Sequence, residues 1–548
     1  MVGGITHHKM GEYYITVTTT LSIGVAISRS HLDNQPREVE QVPVASRDVD
    51  TIFAIDAGTT GVRTLAINLR GDVVDVAYRP LTQYFPSPGW VEHDGNEIIR
   101  LVIETLEEAA QRAEARGEKV VSIGITNQRE TTIAFDKSTG QPLARAIVWQ
   151  DRRTADVCDD LRRRGVEPLI RSTTGLVLDP YFSATKMSWL LQLGVGNGVE
   201  SLGLCTIDSW VLWNLTGGPA GGVFATDPSN ASRTMLFDLS SGTWSEELTS
   251  LFGVPHHALA SIVPSSGRIG LTSASVVPRL GQVAISSIIG DQQGALFGQA
   301  CYEAGMAKAT YGTGSFVLQN IGTTLPEPAD GLTTSVAWQL GPQAPLTYAL
   351  EGSAFVAGAA IQWLRDELQI IATSQDLEPL ARCVDSADGV MVVPAFTGLG
   401  SPWFDPRARG TITGLSRGSG KAQIARATIE ALSYQVTAMV DQMVNSAAQA
   451  LSTLRVDGGA SAMSMLCQLQ ADQLGVVVER PASLETTALG AATLAALGEG
   501  LMDPFAKATT PWAAESRFTP SSDLATARAG YEQWLQAVER SRGLNFED

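Results

Sequence analysis

Short apolar runs separated by glycine-rich turns mark the chain from residue 51 onward. The run TIFAI (51–55) is rich in β-branched residues and ends at Asp56, so it predicts a buried strand. The small residues GTTG (58–61) follow, and apolar residues resume at 65–69. This pattern predicts a hairpin with a tight turn and with a carboxylate at the exit of its first strand.

The next segments extend this hairpin into a domain core. Residues 71–81 continue the sheet, and Asp94 is placed to cap a helix in which Ile98, Val102 and Leu106 repeat at helical spacing. A buried strand, VVSIGIT (120–126), comes next. Hairpin strands followed by a helix and another strand predict a βββαβ core.

A second glycine–threonine turn, TYGTG (310–314), lies between apolar segments about half a chain further on. Behind it the pattern predicts helices at 355–368, 421–446 and 486–499 and strands at 389–396 and 476–481. Residues 455–461 are predicted to be a strand that runs into a Gly-Gly turn at a helix start. Two such hairpins indicate a duplicated domain closing on one nucleotide, as in the actin-like ATPase and sugar kinase superfamily. The predicted fold is α/β: two duplicated actin-like (ribonuclease H-like) βββαβα domains with an active-site cleft between them.

The length of 548 residues implies at least two domains, because single cores rarely exceed about 250–300 residues. We expect an N-terminal domain at 51–300 that binds the acceptor and phosphates, and a C-terminal domain at 301–548 that binds the nucleotide. Residues 1–50 carry no recognisable chemistry, so we expect a disordered or dispensable extension.

The first turn has the chemistry of an anion site. Backbone N–H groups and hydroxyls in a glycine turn can point at phosphate, and Arg63 adds a fixed charge. Asp56 is placed to hold Mg²⁺ directly or through water. The alternative is an ordinary hairpin with a glycine turn.

Polar residues also follow the strands predicted at 120–126 and 146–149. Arg129 and Glu130 offer a donor fork and an acceptor that suit the hydroxyls of a small polyol. A surface ion pair is the alternative. Trp149 is either core or an apolar wall for a ligand, and Tyr181 is either a turn residue or a phenol that reaches it. The polar loop at 226–238 is expected to be structural.

Asp291 is the strongest catalytic candidate. It follows a buried strand predicted at 284–289 and precedes a helix, and ligands of open α/β sheets bind at strand ends. A carboxylate there can accept the proton of an attacking hydroxyl.

Composition excludes other classes. The net charge of −18 argues against nucleic-acid binding, which needs a basic face. Five scattered cysteines without a CxxC pair indicate buried thiols in a reducing cytoplasm. No apolar run of about 18 residues occurs, so we expect no membrane insertion.

These segments together resemble the FGGY carbohydrate kinases over residues 51–540. The matching motifs, in order, are DAGTTGVR, PGWVEHD, GITNQRETT, IVWQ, DPYFSATK, NASRTMLF, GDQQGALFGQ, TYGTGSF, ALEGS, FTGLGSPW and RVDGGA. The motifs NQRE and GDQQ favour glycerol as the acceptor over pentuloses and hexuloses. The resemblance therefore implies ATP-dependent phosphorylation of glycerol to sn-glycerol 3-phosphate, with another polyol or sugar as the alternative.

The resemblance also implies a role for each site residue. The glycerol-binding set is Arg129, Glu130, Tyr181, Asp291 and Gln292, with Trp149 as an apolar neighbour and Asp291 as the base. The ATP contacts are Thr59, Thr60, Gly61, Arg63, Thr313, Gly358, Gln362 and Gly459. Asp56 would position Mg²⁺. A cytoplasmic homodimer or homotetramer is expected.

Three departures and two rivals qualify the resemblance. Met463 replaces a frequent Asn near adenine. Residues 272–282 lack the basic loop for fructose 1,6-bisphosphate, and 521–531 lack a clear phosphotransferase docking site, so we expect neither regulation.

A polymerising ATPase would not need NQRE and Tyr181. A catalytically dead sensor would lack Asp56 or Asp291, and both are present.

Overall fold

The computed structural model describes residues 50–506, 512–521 and 523–542. The extension expected at 1–50 lies outside these residues, except for Asp50, with which the first strand begins. Within the described part, no helix has the length and apolar character needed to cross a lipid bilayer.

Six strands form a mixed sheet in the first half of the chain. They are β1 (Asp50–Ala57), β2 (Gly61–Asn68), β3 (Val73–Pro80), β4 (Lys119–Asn127), β5 (Ser266–Leu271) and β6 (Ala284–Gly290). Their order across the sheet is β5–β6–β4–β1–β2–β3. The hairpin β1–β2–β3 is antiparallel, whereas β4 and β6 run parallel to β1. The carboxyl ends of β1, β4 and β6 therefore share one edge, as ligand sites in α/β sheets require.

Seven strands form the second sheet. They are β7 (Met306–Tyr311), β8 (Ser315–Gly322), β9 (Thr333–Trp338), β10 (Thr347–Ala354), β11 (Thr453–Asp457), β12 (Val477–Pro481) and β13 (Ala514–Phe518). Their order is β9–β10–β8–β7–β11–β12–β13. Again an antiparallel run, β7–β8–β10, is followed by parallel neighbours, β11 and β12. The predicted α/β fold with two related halves is confirmed.

Helices surround the two sheets. They are α1 (Gly95–Arg116), α2 (Ala155–Arg163), α3 (Glu167–Thr174), α4 (Ser183–Gln192), α5 (Ile207–Leu215), α6 (Pro228–Ala231), α7 (Glu246–Phe252), α8 (Asp291–Gly298), α9 (Gly358–Asp366), α10 (Leu377–Ala381), α11 (Lys421–Ala447), α12 (Ser464–Leu474), α13 (Thr486–Gly498) and α14 (Leu524–Arg542). The cap predicted for α1 is present, since the Asp94 carboxylate accepts the Asn96 and Glu97 N–H groups.

Short strands complete the layers. Thr132–Asp136 pairs with Leu202–Thr206, Gln141–Pro142 and Ala146–Ile147, and the last also pairs with Glu92–His93. The small pairs are Ala225–Thr226 with Ser261–Ile262, Phe237–Asp238 with Thr243–Trp244, and Met391–Val393 with Thr411–Thr413.

Helix α13 comes from the second half of the chain but packs against the first sheet. A Cβ on Gly124 of β4 would lie 2.3 Å from the Ala491 carbonyl oxygen. Glycines also let α13 approach α8, because a Cβ on Gly490 would lie 1.9 Å from the Gly294 carbonyl oxygen. Ala491 and its apolar neighbours share a core cluster with Ile52 and Leu65 of the first sheet. The start of α8, where Asp291 lies, is thereby held between the halves.

Two predicted elements are shorter than expected. The helix predicted at 355–368 begins only at Gly358, because the Ala357 and Gly358 N–H groups bond to the carbonyls of the second turn instead. The strand predicted at 389–396 is limited to Met391–Val393, since Pro394 has no N–H to continue the ladder.

Substitution of Gly490 tests the close approach of α13 and α8. We expect Gly490→Ala to lower the free energy of unfolding by about 1–3 kcal/mol or more, because the backbone must move to admit the methyl group. Urea denaturation measures the change. Gly418→Ala is the control, since Gly418 is exposed and its nearest neighbour atom lies 3.7 Å from the added Cβ; a change within about 0.5 kcal/mol is expected there. Equal effects at both positions would contradict the packing argument.

Candidate active site

The turn between β1 and β2 leaves one threonine exposed. A Cβ on Gly61 would lie 2.4 Å from the Tyr78 ring, so only glycine fits at that position. Thr60 is exposed, whereas the Thr59 hydroxyl accepts a hydrogen bond of 2.9 Å from Trp149 Nε1. Of the two threonines predicted to contact phosphate, Thr60 has the more accessible hydroxyl.

Arg63 joins Asp56 to the second half of the chain. Its Nη2 lies 2.5 Å from Asp56 Oδ2, and its Nη1 lies 2.7 Å from Glu485 Oε2. Burial acts to lower the pKa of Arg63, but the two carboxylates outweigh burial and raise it. The fixed charge expected beside the first turn is thus present, in a pair with the candidate metal ligand.

The second turn packs on the start of α9. The Gly358 N–H donates to the Gly312 carbonyl at 2.9 Å, and a Cβ on Gly358 would lie 2.6 Å from that oxygen. Thr313 is exposed beside this contact, and Gln362 follows Gly358 by about one turn on the same helix face. These three predicted nucleotide contacts therefore lie together.

Gly459 begins a short 3₁₀ turn directly after β11. It is exposed, and a Cβ there would meet no atom within 4 Å. Its neighbour Gly458 has a φ of 85° and packs on the Tyr311 backbone, so this turn lies against the strand that leads into the second turn.

The predicted acceptor residues meet at the carboxyl edge of the first sheet. Asn127, the last residue of β4, pairs with Gly290, the last residue of β6. Arg129 therefore lies beside Asp291, the first residue of α8, and its Nε is 3.2 Å from Asp291 Oδ1. A surface ion pair is excluded for Arg129 and Glu130, which are 3% and 1% exposed.

Two further charged residues complete this cluster. Arg129 donates to Glu351 from Nη1 at 3.0 Å and Nη2 at 2.8 Å, a bidentate pair. Arg233 lies 2.7 Å from Glu130 Oε1 and 3.2 Å from Glu351 Oε2. Burial alone would raise the pKa of Glu351, but Arg129 and Arg233 lower it to about 2. Two arginines are thus neutralised by carboxylates from both halves of the chain.

Glu130 is held in an unusual backbone conformation. Its φ of 62° is in the left-handed region, which non-glycine residues avoid at a cost of about 1–3 kcal/mol. Its carbonyl accepts hydrogen bonds from Ser183 Oγ at 2.9 Å and Thr132 Oγ1 at 3.2 Å. Strain of this kind, held by surrounding bonds, is typical of residues whose side chain is aimed at a ligand.

An aromatic wall faces the cluster. The Trp149 and Tyr181 rings meet edge to face, with centroids 5.5 Å apart. The buried Lys186 ammonium donates to the carbonyls of Pro180, Tyr181 and Phe182 at 2.6–3.0 Å and fixes this turn. Trp149, Tyr181, Arg233 and Glu351 line a cavity of about 590 Å³, together with Phe316, Phe355 and Phe404.

Asp291 has the electrostatics of a proton acceptor. Burial raises its pKa to about 6, with Arg129 opposing and Glu130 supporting the rise. Its side chain keeps 33% exposure, and Oδ1 accepts the Gln292 N–H at 2.7 Å. The carboxylate is therefore ionised at neutral pH yet more basic than a solvated aspartate.

Two family models cover most of the chain. The N-terminal domain of the FGGY family of carbohydrate kinases matches residues 51–298, and the C-terminal domain matches residues 307–499. The chain belongs to the FGGY family of carbohydrate kinases.

The similar proteins of known name include several glycerol kinases. This FGGY chain is 47% identical over 496 residues to the glycerol kinase of Aromatoleum aromaticum, covering 90% of this chain and 99% of the relative. It is 48% identical to that of Halorhodospira halophila, covering 89% and 96%. The crystal structure of Plasmodium falciparum glycerol kinase with ADP is 30% identical, with a TM-score of 0.87 over 91% of this chain and 99% of that one. A xylulose kinase from Lactobacillus acidophilus, 20% identical with a TM-score of 0.82 over 90% of this chain and 99% of that one, shares the fold.

Sequence reasoning missed two members of the charge cluster of this FGGY kinase. Arg233 lies in the loop at 226–238 that was expected to be structural, yet this loop is buried and its arginine reaches the site. Glu351 was not singled out. The available signal was that Glu351 is the only charge in the apolar strand Thr347–Ala354. A carboxylate buried in such a strand needs a positively charged partner.

The residues present fit Mg²⁺ rather than a metal held by protein alone. Among the described residues, no group of three or more His, Cys, Asp or Glu side chains could hold an ion. Asp56 Oδ2 pairs with Arg63, and Oδ1 accepts no hydrogen bond within the described part. One carboxylate suits Mg²⁺, which takes its other ligands from phosphates and water.

Removal of one carboxylate tests the buried cluster. We expect Glu351→Gln to lower the free energy of unfolding by about 3–5 kcal/mol, because two buried arginines lose their shared counter-charge. Urea denaturation at neutral pH measures it. Glu539→Gln is the matched control, since its pair with Arg542 is exposed and is expected to contribute under about 1 kcal/mol.

The difference in unfolding free energy between wild type and Glu351→Gln depends on pH. Because the pKa of Glu351 falls from 4.5 to about 2 on folding, its contribution is complete above pH 4.5 and is lost as the pH drops toward 2. A difference between wild type and variant that grows with acid would contradict the assignment.

Proposed function

We propose that this protein transfers the γ-phosphoryl group of ATP to glycerol and forms sn-glycerol 3-phosphate. The observation that carries the proposal is the pairing of Arg129 with Asp291, which sets a half-buried carboxylate against a buried arginine at the carboxyl edge of the first sheet. The choice of glycerol is supported by the names of relatives that match nearly the whole length of the chain.

The hydrogen bonds left over in the cluster suit a small polyol. Arg129 donates three N–H groups to Gln293 and Glu351, and its Nε lies in an ion pair with Asp291. One Nη2 proton is left. Glu130 Oε2 and the Tyr181 hydroxyl have no hydrogen bond within the described part. A donor, an acceptor and a phenol beside the Trp149 ring match the hydroxyls and the carbon chain of glycerol.

The two turns are proposed to hold the nucleotide. Thr60 and Thr313 are exposed on the first and second turns, and Gly358, Gln362 and Gly459 lie beside the second. Arg63 retains two N–H groups for phosphate after its bonds to Asp56 and Glu485. Thr59 and Gly61 contribute through the backbone of the first turn. Asp56 would hold Mg²⁺, which when bound neutralises phosphate charge.

In the proposed reaction Asp291 accepts the proton of the attacking hydroxyl. Arg129, Glu130 and Tyr181 orient the acceptor, with Gln292 beside the base. Phosphoryl transfer depends mainly on positioning and charge neutralisation, so a carboxylate with a pKa of about 6 suffices. Closure of the two halves would exclude water from the cleft.

An acceptor panel tests the substrate. ADP release from ATP–Mg²⁺ is measured with each of five acceptors: glycerol, dihydroxyacetone, erythritol, xylulose and ribulose. A reaction without acceptor is the control. Preference for glycerol, with sn-glycerol 3-phosphate as product, is expected. Preference for a sugar would support the alternative, a kinase of the same family for another acceptor. ADP release that no acceptor stimulates would favour a polymerising ATPase.

Replacement of the proposed base tests the mechanism. We expect Asp291→Asn to lower kcat about 10²–10⁴-fold, the range for loss of a general base, while the protein stays folded by circular dichroism. Asp366→Asn, at an exposed ion pair, is the matched control and should leave kcat unchanged. In wild type, kcat/KM should fall below about pH 6, where Asp291 becomes protonated. A variant with near-normal turnover would exclude the role.

The proposal also covers the cellular compartment and the oligomeric state of the protein. All five cysteines are free thiols, and Cys158, Cys205, Cys301 and Cys467 are buried. Unpaired buried thiols suit a reducing compartment, so we infer a cytoplasmic enzyme. A homodimer or homotetramer remains our expectation, which light scattering measures directly.

A further inference from the structure

Lys308 is a fully buried lysine that the proposed mechanism does not use. It lies on β7, the strand that leads into the second turn. Its ammonium group donates to Gln292 Oε1 and, at 2.9 Å, to Thr310 Oγ1. No carboxylate of the described residues lies within ion-pair distance of it. A lysine buried in this way requires an explanation, since lysine is almost never fully buried without an ionic partner.

The other fully buried lysine of the described part shows what a structural role looks like. Lys186 is satisfied by three backbone carbonyls of a single turn, all close to it in sequence. Lys308 instead binds two side chains, and one of them belongs to the other half of the chain. That partner, Gln292, follows the proposed base directly. Lys308 therefore connects the second turn to the residue beside Asp291.

This contact determines which way the Gln292 amide faces. A lysine ammonium group has three donors and no acceptor, so the amide must present its oxygen to it. The opposite atom, Gln292 Nε2, has no hydrogen bond within the described part. Gln292 consequently offers two unpaired N–H groups beside the carboxylate of Asp291.

Burial and three carboxylates act in opposite directions on the pKa of Lys308. Burial lowers its pKa, and Asp457, Asp291 and Glu351 act in the opposite direction. These carboxylates come from three different elements around the ammonium group.

We propose that Lys308 is a positioning residue for the phosphoryl acceptor: it holds the amide oxygen of Gln292 so that the amide nitrogen meets a substrate oxygen as a fixed donor. The inference rests on the proposed function and adds to it. Asp291 then accepts the proton of an acceptor hydroxyl, while the Gln292 amide donates a hydrogen bond to an acceptor oxygen. The two neighbouring residues therefore recognise a donor and an acceptor on the same substrate.

A double-mutant cycle tests this inference. Lys308→Met keeps the shape of the side chain and removes its donors, Gln292→Leu removes the amide, and the double variant combines them. The dissociation constant for glycerol is measured by calorimetry without nucleotide, and KM for glycerol and for ATP is measured by ADP release. Lys119→Met, at an exposed lysine at the start of β4, is the matched control.

We expect Lys308→Met to weaken glycerol binding about 2–12-fold, the equivalent of one hydrogen bond, with KM for ATP changed less than twofold. In the Gln292→Leu background the same substitution should have less than a twofold effect. An equal loss in both backgrounds, or a loss confined to KM for ATP, would overturn the inference. So would a lower melting temperature with normal glycerol binding, which indicates a purely structural lysine.

Two further experiments apply if Lys308→Met does not fold or if the acceptor is not glycerol. If Lys308→Met does not fold, Gln292→Glu replaces the donor by an acceptor and leaves Lys308 in place. Glycerol binding as tight as in wild type would then overturn the inference, and at least tenfold weaker binding would support it. If the wild-type protein phosphorylates another acceptor, the proposed substrate fails, and the cycle with that acceptor decides the role of Lys308. If wild type uses no acceptor, both proposals fail.

Discussion

The pairing of Arg129 and Arg233 with Glu351 is the constraint on which the site depends. The two arginines come from the first half of the chain, and the carboxylate comes from β10 in the second. Charges removed from water are costly unless they are closely paired, so separation of the halves at this point would deprive Glu351 of both its arginine partners. The same ion pairs therefore shape the acceptor pocket and join the two halves of the chain. Glu351 is the carboxylate of the second half that contacts both arginines.

The parts that the sequence predicted well depend on local signals. The hairpin of β1 and β2, the capped helix α1 and the strand β4 follow from apolar runs, a cap and glycine turns within a few residues. The edge at which Arg129 and Asp291 meet follows from a general rule about parallel strands. These residues were expected to lie together, and they do.

The parts that were missed depend on contacts between distant residues. Arg233 is about a hundred positions from Glu130, and Glu351 is more than two hundred from Arg129. No local pattern encodes such pairs. The late start of α9 has the same origin, because the second turn captures the N–H groups that would have begun the helix. Arg63 was expected to add a fixed charge beside the first turn, but its partner Glu485, which comes from the far end of the chain, was not predicted.

The packing of α13 on the first sheet has a consequence for biosynthesis. Ile52, Leu65 and Ile289 belong to the first half, but their shared core is completed by residues 486–498. A ribosome releases the first half long before that helix exists. The emerging chain must keep an apolar face uncovered until almost the whole protein has been made. Exposed apolar surface makes a growing chain prone to aggregation, so this face needs protection until residues 486–498 have been made.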